Sequence, residues 1–254
     1  MPKLRNRIVS PILSIQPKTV FLHKEDLKFY AMTDKFVFYA PGNGFLQPYV
    51  EREVGKSPEA LAVMVSSTDI YEPDSETIID EECALRKNSD WARLEQEFLN
   101  EYPDGYILRA APVVGTGMKG AVRKLAEEIF SGRFFHFPGN ETRKCVVHAV
   151  DIAKAVGLLL AKRPAERVFN ICDDTYPTLH DIAESLAFRM DNKRISNLST
   201  RPQQIIARFF YRRRYAYYMT DERFCCNALK HATGFEPTDV CAYLREHVYD
   251  ENSL

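Results

Sequence analysis

The sequence has 254 residues, 45% hydrophobic and 27% charged, with a formal net charge of −1. That length suits one α/β domain with a smaller lobe. The near-zero charge excludes a global field that would recruit nucleic acid or an anionic membrane, so any such contact has to come from a local patch. Six cysteines, Cys83, Cys145, Cys172, Cys225, Cys226 and Cys241, form no C-x-x-C pair and match no zinc spacing. No metal is therefore expected, and a reducing, cytoplasmic location fits.

No apolar run approaches the ~18 residues of a membrane span. The longest, Ala153 to Ala161, contains Lys154 and reads as a core helix, so no transmembrane segment is expected. The first 24 residues carry Lys3, Arg5, Arg7, Lys18 and Lys24 and no acid, which keeps an organelle as the alternative location. Pro2, Pro11 and Pro17 interrupt any amphipathic targeting helix there.

In chain order, Thr19–Leu22 and Lys35–Ala40 read as strands. Leu61–Ser66 is a continuous apolar run, as for a strand buried on both faces. Trp91, Leu94, Phe98, Leu99 and Tyr102 fall at helical spacing and predict a helix over Ser89–Tyr102. A strand at Tyr106–Leu108, a helix over Gly117–Phe130 and a strand at Cys145–His148 follow. A helix capped by Asp151 then runs to Ala161, and Val168–Ile171 is the closing strand. The last third reads as helices over Thr178–Arg189, Arg201–Arg212, Asp221–Ala232 and Asp239–Tyr249. Thr178 and Asp221 are candidate N-caps, and Gly234 before Pro237 is a stop signal.

Six segments resemble the NAD-dependent epimerase/dehydratase family of extended short-chain dehydrogenases/reductases. Val63 to Tyr71 (VMVSSTDIY) is similar to the family's apolar strand, Ser-Ser and Val-Tyr-Gly. Arg93-Leu94-Glu95-Gln96-Glu97 resembles the helix after its Tyr-x-x-x-Lys. Ile107 to Gly115 (ILRAAPVVG) resembles I-L-R-P-x-x-V-Y-G, and Val146 to Ala153 (VVHAVDIA) resembles V-H-V-x-D-V-A. Val168 to Ile171 resembles Y-N-I, and Thr233 to Pro237 (TGFEP) resembles the closing L-G-[WF]-x-P. The order and spacing over residues 35–240 carry the resemblance. It implies a Rossmann-like parallel sheet, N-terminally reduced, over residues 1–175, and a mostly helical lobe over 176–254. Segments near 117–145 could join that lobe.

The family's chemistry needs a glycine-rich strand–turn–helix for the dinucleotide pyrophosphate. The residues before Lys35 contain no glycine, and Thr19–Asp26 resembles the family's third strand instead. Pro41-Gly42-Asn43-Gly44 follows a strand and precedes an expected helix. Gly42 and Gly44 are thus weak candidates for cofactor binding, the alternative being a tight turn. The family's general acid is a tyrosine four residues before a lysine, whose ammonium lowers the phenol pKa from about 10. The resemblance puts Ser89 at the tyrosine and Arg93 at the lysine. A one-residue shift brings Asp90 or Asn88 to that place, and neither is a phenol. Ser67 matches the substrate-orienting serine; Arg93 reads first as a solvated helix residue, the alternative being a cation supplied to a cofactor. Lys144, beside Arg143, matches the family's basic position for a nucleotide-sugar diphosphate, the alternative being exposed loop charge. His148 is expected to be structural.

Arg208 to Tyr218 interleaves four arginines with six aromatics. It reads first as a helix packing its aromatic face, with a protein or lipid-surface contact as the alternative and nucleic acid not expected. The expectation is therefore a catalytically degenerate binding or scaffold protein, with a protein partner, a homo-oligomer or a nucleotide-sugar ligand. The alternative is an active oxidoreductase or epimerase that holds NAD or NADP unconventionally, with Tyr71 or Asp90 as acid.

Overall fold

Short β-rich apolar runs separated by helical periodicity demand a sheet covered on both faces, and the fold meets that demand. The computed structural model describes residues 36–42, 45–50, 61–72, 77–115, 120–136, 141–189, 195–197, 201, 205 and 220–246. The elements are β1 (Phe36–Gly42), β2 (Phe45–Val50), β3 (Leu61–Ser67), a 3-10 turn (Thr68–Ile70), α1 (Asp90–Glu101), β4 (Tyr106–Ala110) and β5 (Val113–Val114). They continue with α2 (Gly120–Phe130), β6 (Phe135–His136), β7 (Val147–His148), α3 (Ala149–Lys162), β8 (Val168–Ile171), α4 (Leu179–Arg189), β9 (Ser196–Asn197), α5 (Asn227–Thr233) and α6 (Val240–Glu246).

The main sheet runs β2-β1-β3-β4-β8. Strands β1, β3, β4 and β8 are parallel, and β2 is antiparallel to β1. Because side chains alternate along a strand, this register sorts two cores. Ala62, Met64 and Ile107 pack on Leu94 and Phe98 of α1. Val63, Leu108, Phe169 and Ile171 pack on the other face against Ile152, Val156 and Leu159 of α3 and Leu229 of α5. A third core joins α2, α4 and α6 through Val122, Leu125, Ile129, Ile182, Leu186, Val240 and Leu244.

Several boundaries differ from expectation for local reasons. The segment after Gly42 is a strand, not a helix: Gly42 sits opposite Phe45 in a hairpin. Asp151 does not cap α3. His148 holds the N-cap position, and the Asp151 carboxylate accepts instead from the Thr238 backbone N–H (2.7 Å) and hydroxyl (2.9 Å) ahead of α6. Asp221 is no cap either. It accepts the backbone N–H of Arg143, and α5 starts only at Asn227. Thr178 does cap α4, in a reciprocal box with Asp181, and Gly234 ends α5 at φ 70°. The expected strand Thr19–Leu22, the third-strand segment to Asp26, Gly44 and the Arg208–Tyr218 segment lie outside the described residues, as does most of Arg201–Arg212.

Candidate functional site

In parallel α/β sheets the chemistry sits where strands end and turns begin. Here β3 ends at Ser67, whose Oγ accepts the Asp69 backbone N–H at 3.1 Å and so starts the 3-10 turn. The half-buried hydroxyl of Ser67 is thus a cap. Its neighbour Ser66 points the other way, buried, and its Oγ has no hydrogen-bond partner among the described residues.

The turn delivers Tyr71 into a buried polar cluster. Its phenol donates to Asn170 Oδ1 (2.6 Å) and accepts from Arg109 Nη1 (2.9 Å). Arg109 also grips the Glu95 carboxylate of α1 through Nε (3.1 Å) and Nη2 (2.9 Å). Both side chains of that pair are 7% exposed. The backbone N–H of Asn170, on edge strand β8, donates to Glu81 Oε1 at 2.6 Å. Burial pushes the Tyr71 pKa up to about 12, with the Arg109 contact only partly opposing it. Burial likewise raises Glu81 above the ordinary carboxylate range. Both hydrogen-bonding directions of the phenol are thus used within the cluster. Tyr71 was legible in the sequence only as a spare acid. Glu95, Glu81 and Asn170 carried no signal as a cluster, because their pairing runs across elements.

Two residues that the resemblance puts at the family's catalytic positions lie on α1. Ser89 Oγ accepts the Ala92 backbone N–H and caps α1. Arg93 is exposed and pairs with Glu97 one turn along, with Asp90 at 4.0 Å. Leu94, Glu95 and Phe98 are the buried residues of α1, so Arg93 lies off that face. Asn88, exposed with φ 61°, precedes the cap.

Arg143 and Lys144 do not converge on one point. Consecutive residues of an extended segment face opposite ways. Arg143 bridges to Thr178 and Lys144 to Glu222. The exposed Arg143 guanidinium donates to the Tyr176 carbonyl at 2.6 Å. Lys144 is only 2% exposed, not loop charge, and its ammonium lies 3.3 Å from Glu222. Burial lowers its pKa despite that carboxylate. His148 is buried and its ring lies tilted by 46° against Tyr243, with centroids 3.8 Å apart. Among the described residues no group of three or more His, Cys, Asp or Glu could hold a metal ion, and no helix is long and apolar enough to cross a membrane.

The sheet order decides what surrounds this region. In a doubly wound dinucleotide fold, the strand carrying the glycine-rich turn lies beside the fourth strand, which is the place of β1 here. The edge of β1 away from β3 is paired to β2 from Phe38 to Gly42.

Among solved structures, the chain is similar to the human epimerase family protein SDR39U1 (isoform 2) with NADPH. The TM-score is 0.56 at 16% identity, over 78% of this chain and 69% of that one. A dTDP-glucose 4,6-dehydratase from Bacillus anthracis in complex with NAD gives 0.56 and 17%, over 76% and 62%. The UDP-N-acetylglucosamine 4-epimerase of Methanobrevibacter ruminantium gives 0.53 and 17%, over 73% and 61%. The fold is that of the NAD(P)-dependent epimerases and dehydratases. No protein-family model matches the sequence, and no curated protein is significantly similar to it. The epimerase/dehydratase fold thus persists at identities where side-chain chemistry is free to differ, and the chain spans a little under two thirds of the last two structures.

Proposed function

We propose that this chain is a divergent epimerase/dehydratase that no longer transfers hydride and acts as a binding or scaffold protein. One observation carries the reading. A strand has two hydrogen-bonding edges, and β1 spends one on β3 and the other on β2. From Phe38 to Gly42 no edge remains for the strand that would bring a phosphate-binding turn. The catalytic positions agree with this. Ser89 Oγ is committed to a helix cap, and Arg93 to an ion pair on the outer face of α1. Lys144 is too buried to meet a diphosphate, which leaves Arg143 as the exposed cation of that pair. Gly42 lies within a hairpin strand, which favours the tight-turn reading over an anion cradle.

The test is titration of the purified protein with NADH and NADPH, followed by cofactor fluorescence and thermal shift. No binding up to millimolar cofactor is expected. Micromolar binding of either nucleotide overturns the proposal and restores an active oxidoreductase or epimerase with an unconventional cofactor site. A nucleotide sugar binding alone is compatible with a binding protein, and a protein partner or self-association is then sought by light scattering of the full chain.

A further inference from the structure

Two histidines far apart in the sequence lie ring against ring beside the α2/α4/α6 core. His136 ends β6, and His180 stands in the first turn of α4. Their rings are stacked, with centroids 4.0 Å apart and planes inclined by 27°. Strand β6 pairs with β9 through Phe135–Ser196 and His136–Asn197. Phe135 and Ile195 of this ribbon pack on the α2/α4/α6 core, so the ring stack joins the same two parts that the apolar contacts join. Nε2 of His180 lies 3.1 Å from Glu184 Oε1 one turn along. The two side chains are 30% and 57% exposed, and His136 is half-buried, so water reaches the pair. A carboxylate only accepts, so Nε2 carries the hydrogen of that bond, and a further proton on His180 has to go to Nδ1. That nitrogen is buried and meets no hydrogen-bond partner among the described residues.

We propose that this stack is an acid-operated latch: with both rings neutral it fastens the β6/β9 ribbon to α4, and proton uptake drives the rings apart and releases the ribbon. Two imidazolium rings face to face repel one another, and the one on His180 also buries an N–H that nothing accepts. Burial first, and His180 second, hold the His136 pKa below its ordinary value, while Glu184 works in the opposite direction. Asp181, next to His180 on α4, is taken up by the Thr178 hydroxyl and amide, and Arg245 of α6 acts on Asp181. Strands β6 and β9 carry no other titratable side chain. A released His136 takes its proton near the ordinary value of about 6.5, and the latched one only at lower pH. The latch is therefore fully effective above pH ~6.5 and weakens as pH falls through the depressed value, its opening constant rising by up to about tenfold per pH unit for each proton gained.

The full chain is followed by amide hydrogen exchange between about pH 7.5 and about pH 5.5, with rates corrected for the intrinsic pH dependence of exchange, while its histidine ring resonances are titrated by NMR. Amides of residues 135–136 and 195–197 are expected to lose protection below pH ~6.5, by up to about tenfold per pH unit, while β3 and β4 keep theirs. His136→Phe keeps a ring in place but takes no proton, and it is expected to make the protection of the ribbon independent of pH. His180→Phe is expected to do the same from the helix side. The unsubstituted protein decides the matter even if a variant fails to fold, because the His136 ring has to titrate below pH ~6.5 and together with the loss of protection. Ribbon protection that does not change with pH, a His136 ring that titrates at its ordinary value, a loss that persists in His136→Phe, or a loss shared equally by β3 and β4 each overturns the latch.

Discussion

Tyr71 illustrates how one side chain changes meaning between sequence and structure. A tyrosine just beyond a Ser-Ser strand end invites a catalytic reading. Its hydroxyl instead joins Arg109 to Asn170 and so connects β4 to β8 on the face where Glu95 anchors α1. Removing the oxygen leaves Asn170 Oδ1 and one Arg109 N–H buried without it. Tyr71→Phe is expected to lower stability by about 1–3 kcal/mol at pH 7, measured by urea unfolding. The same phenol gives an alkaline signature. Its pKa is about 10 in the unfolded chain and about 12 when folded. Its stabilising contribution is therefore complete below pH ~10 and is lost as pH rises towards ~12, at up to about 1.4 kcal/mol per unit. Tyr71→Phe should flatten that part of the alkaline slope. An unchanged slope would place the phenol in solvent.

At the scale of single elements, capping explains where helices begin better than periodicity does. Helix α4 starts at Leu179 because Thr178 and Asp181 satisfy each other's backbone N–H groups. Burial raises the Asp181 pKa, but the Thr178 hydroxyl and amide more than offset that and hold it below the ordinary carboxylate range. The stability this adds is present above the unfolded value near 4. It is lost as pH falls through the depressed folded value. Asp181→Ala should cost about 1 kcal/mol at neutral pH and much less once the wild-type carboxyl is protonated. Thermal melts at pH 7 and in strong acid check both. Helix α1 uses the same device with Ser89, which is why a serine suits that position.

For the whole molecule, two carboxylates hold the C-terminal helix α6 against the α/β body. Asp151 of α3 binds Thr238, and Asp173 after β8 accepts the Val240 backbone N–H at 2.9 Å. Asp151 is 1% exposed and also takes Lys154 at 3.0 Å. Asp151→Ala leaves the Thr238 donors facing an apolar gap and should cost about 2–3 kcal/mol. Amide exchange is the sharper measurement: protection should fall first in α6 and in α4, which packs on it, while β3 and β4 stay protected. Uniform loss of protection would mean that the α2/α4/α6 core and the cores on the sheet unfold as one unit.

The sequence by itself determined the strands β3, β4 and β8 and the helices α1, α3 and α4. Their signals are local: apolar runs such as Leu61–Ser66, the 3.6-residue stripe of Leu94 and Phe98, and the Thr178 cap. It also placed Ser67, Ser89 and Arg93 on the right elements. Only the tertiary structure decided the surroundings of other residues, because each outcome depends on a partner far along the chain. Lys144 is buried because Glu222 lies beside it, and Asp151 turns to Thr238 instead of capping its own helix. Gly42 belongs to a hairpin because a strand follows it, and that strand closes the outer edge of β1. Hydrophobic periodicity records which face of an element is buried; it does not record which element covers that face or occupies a neighbouring edge.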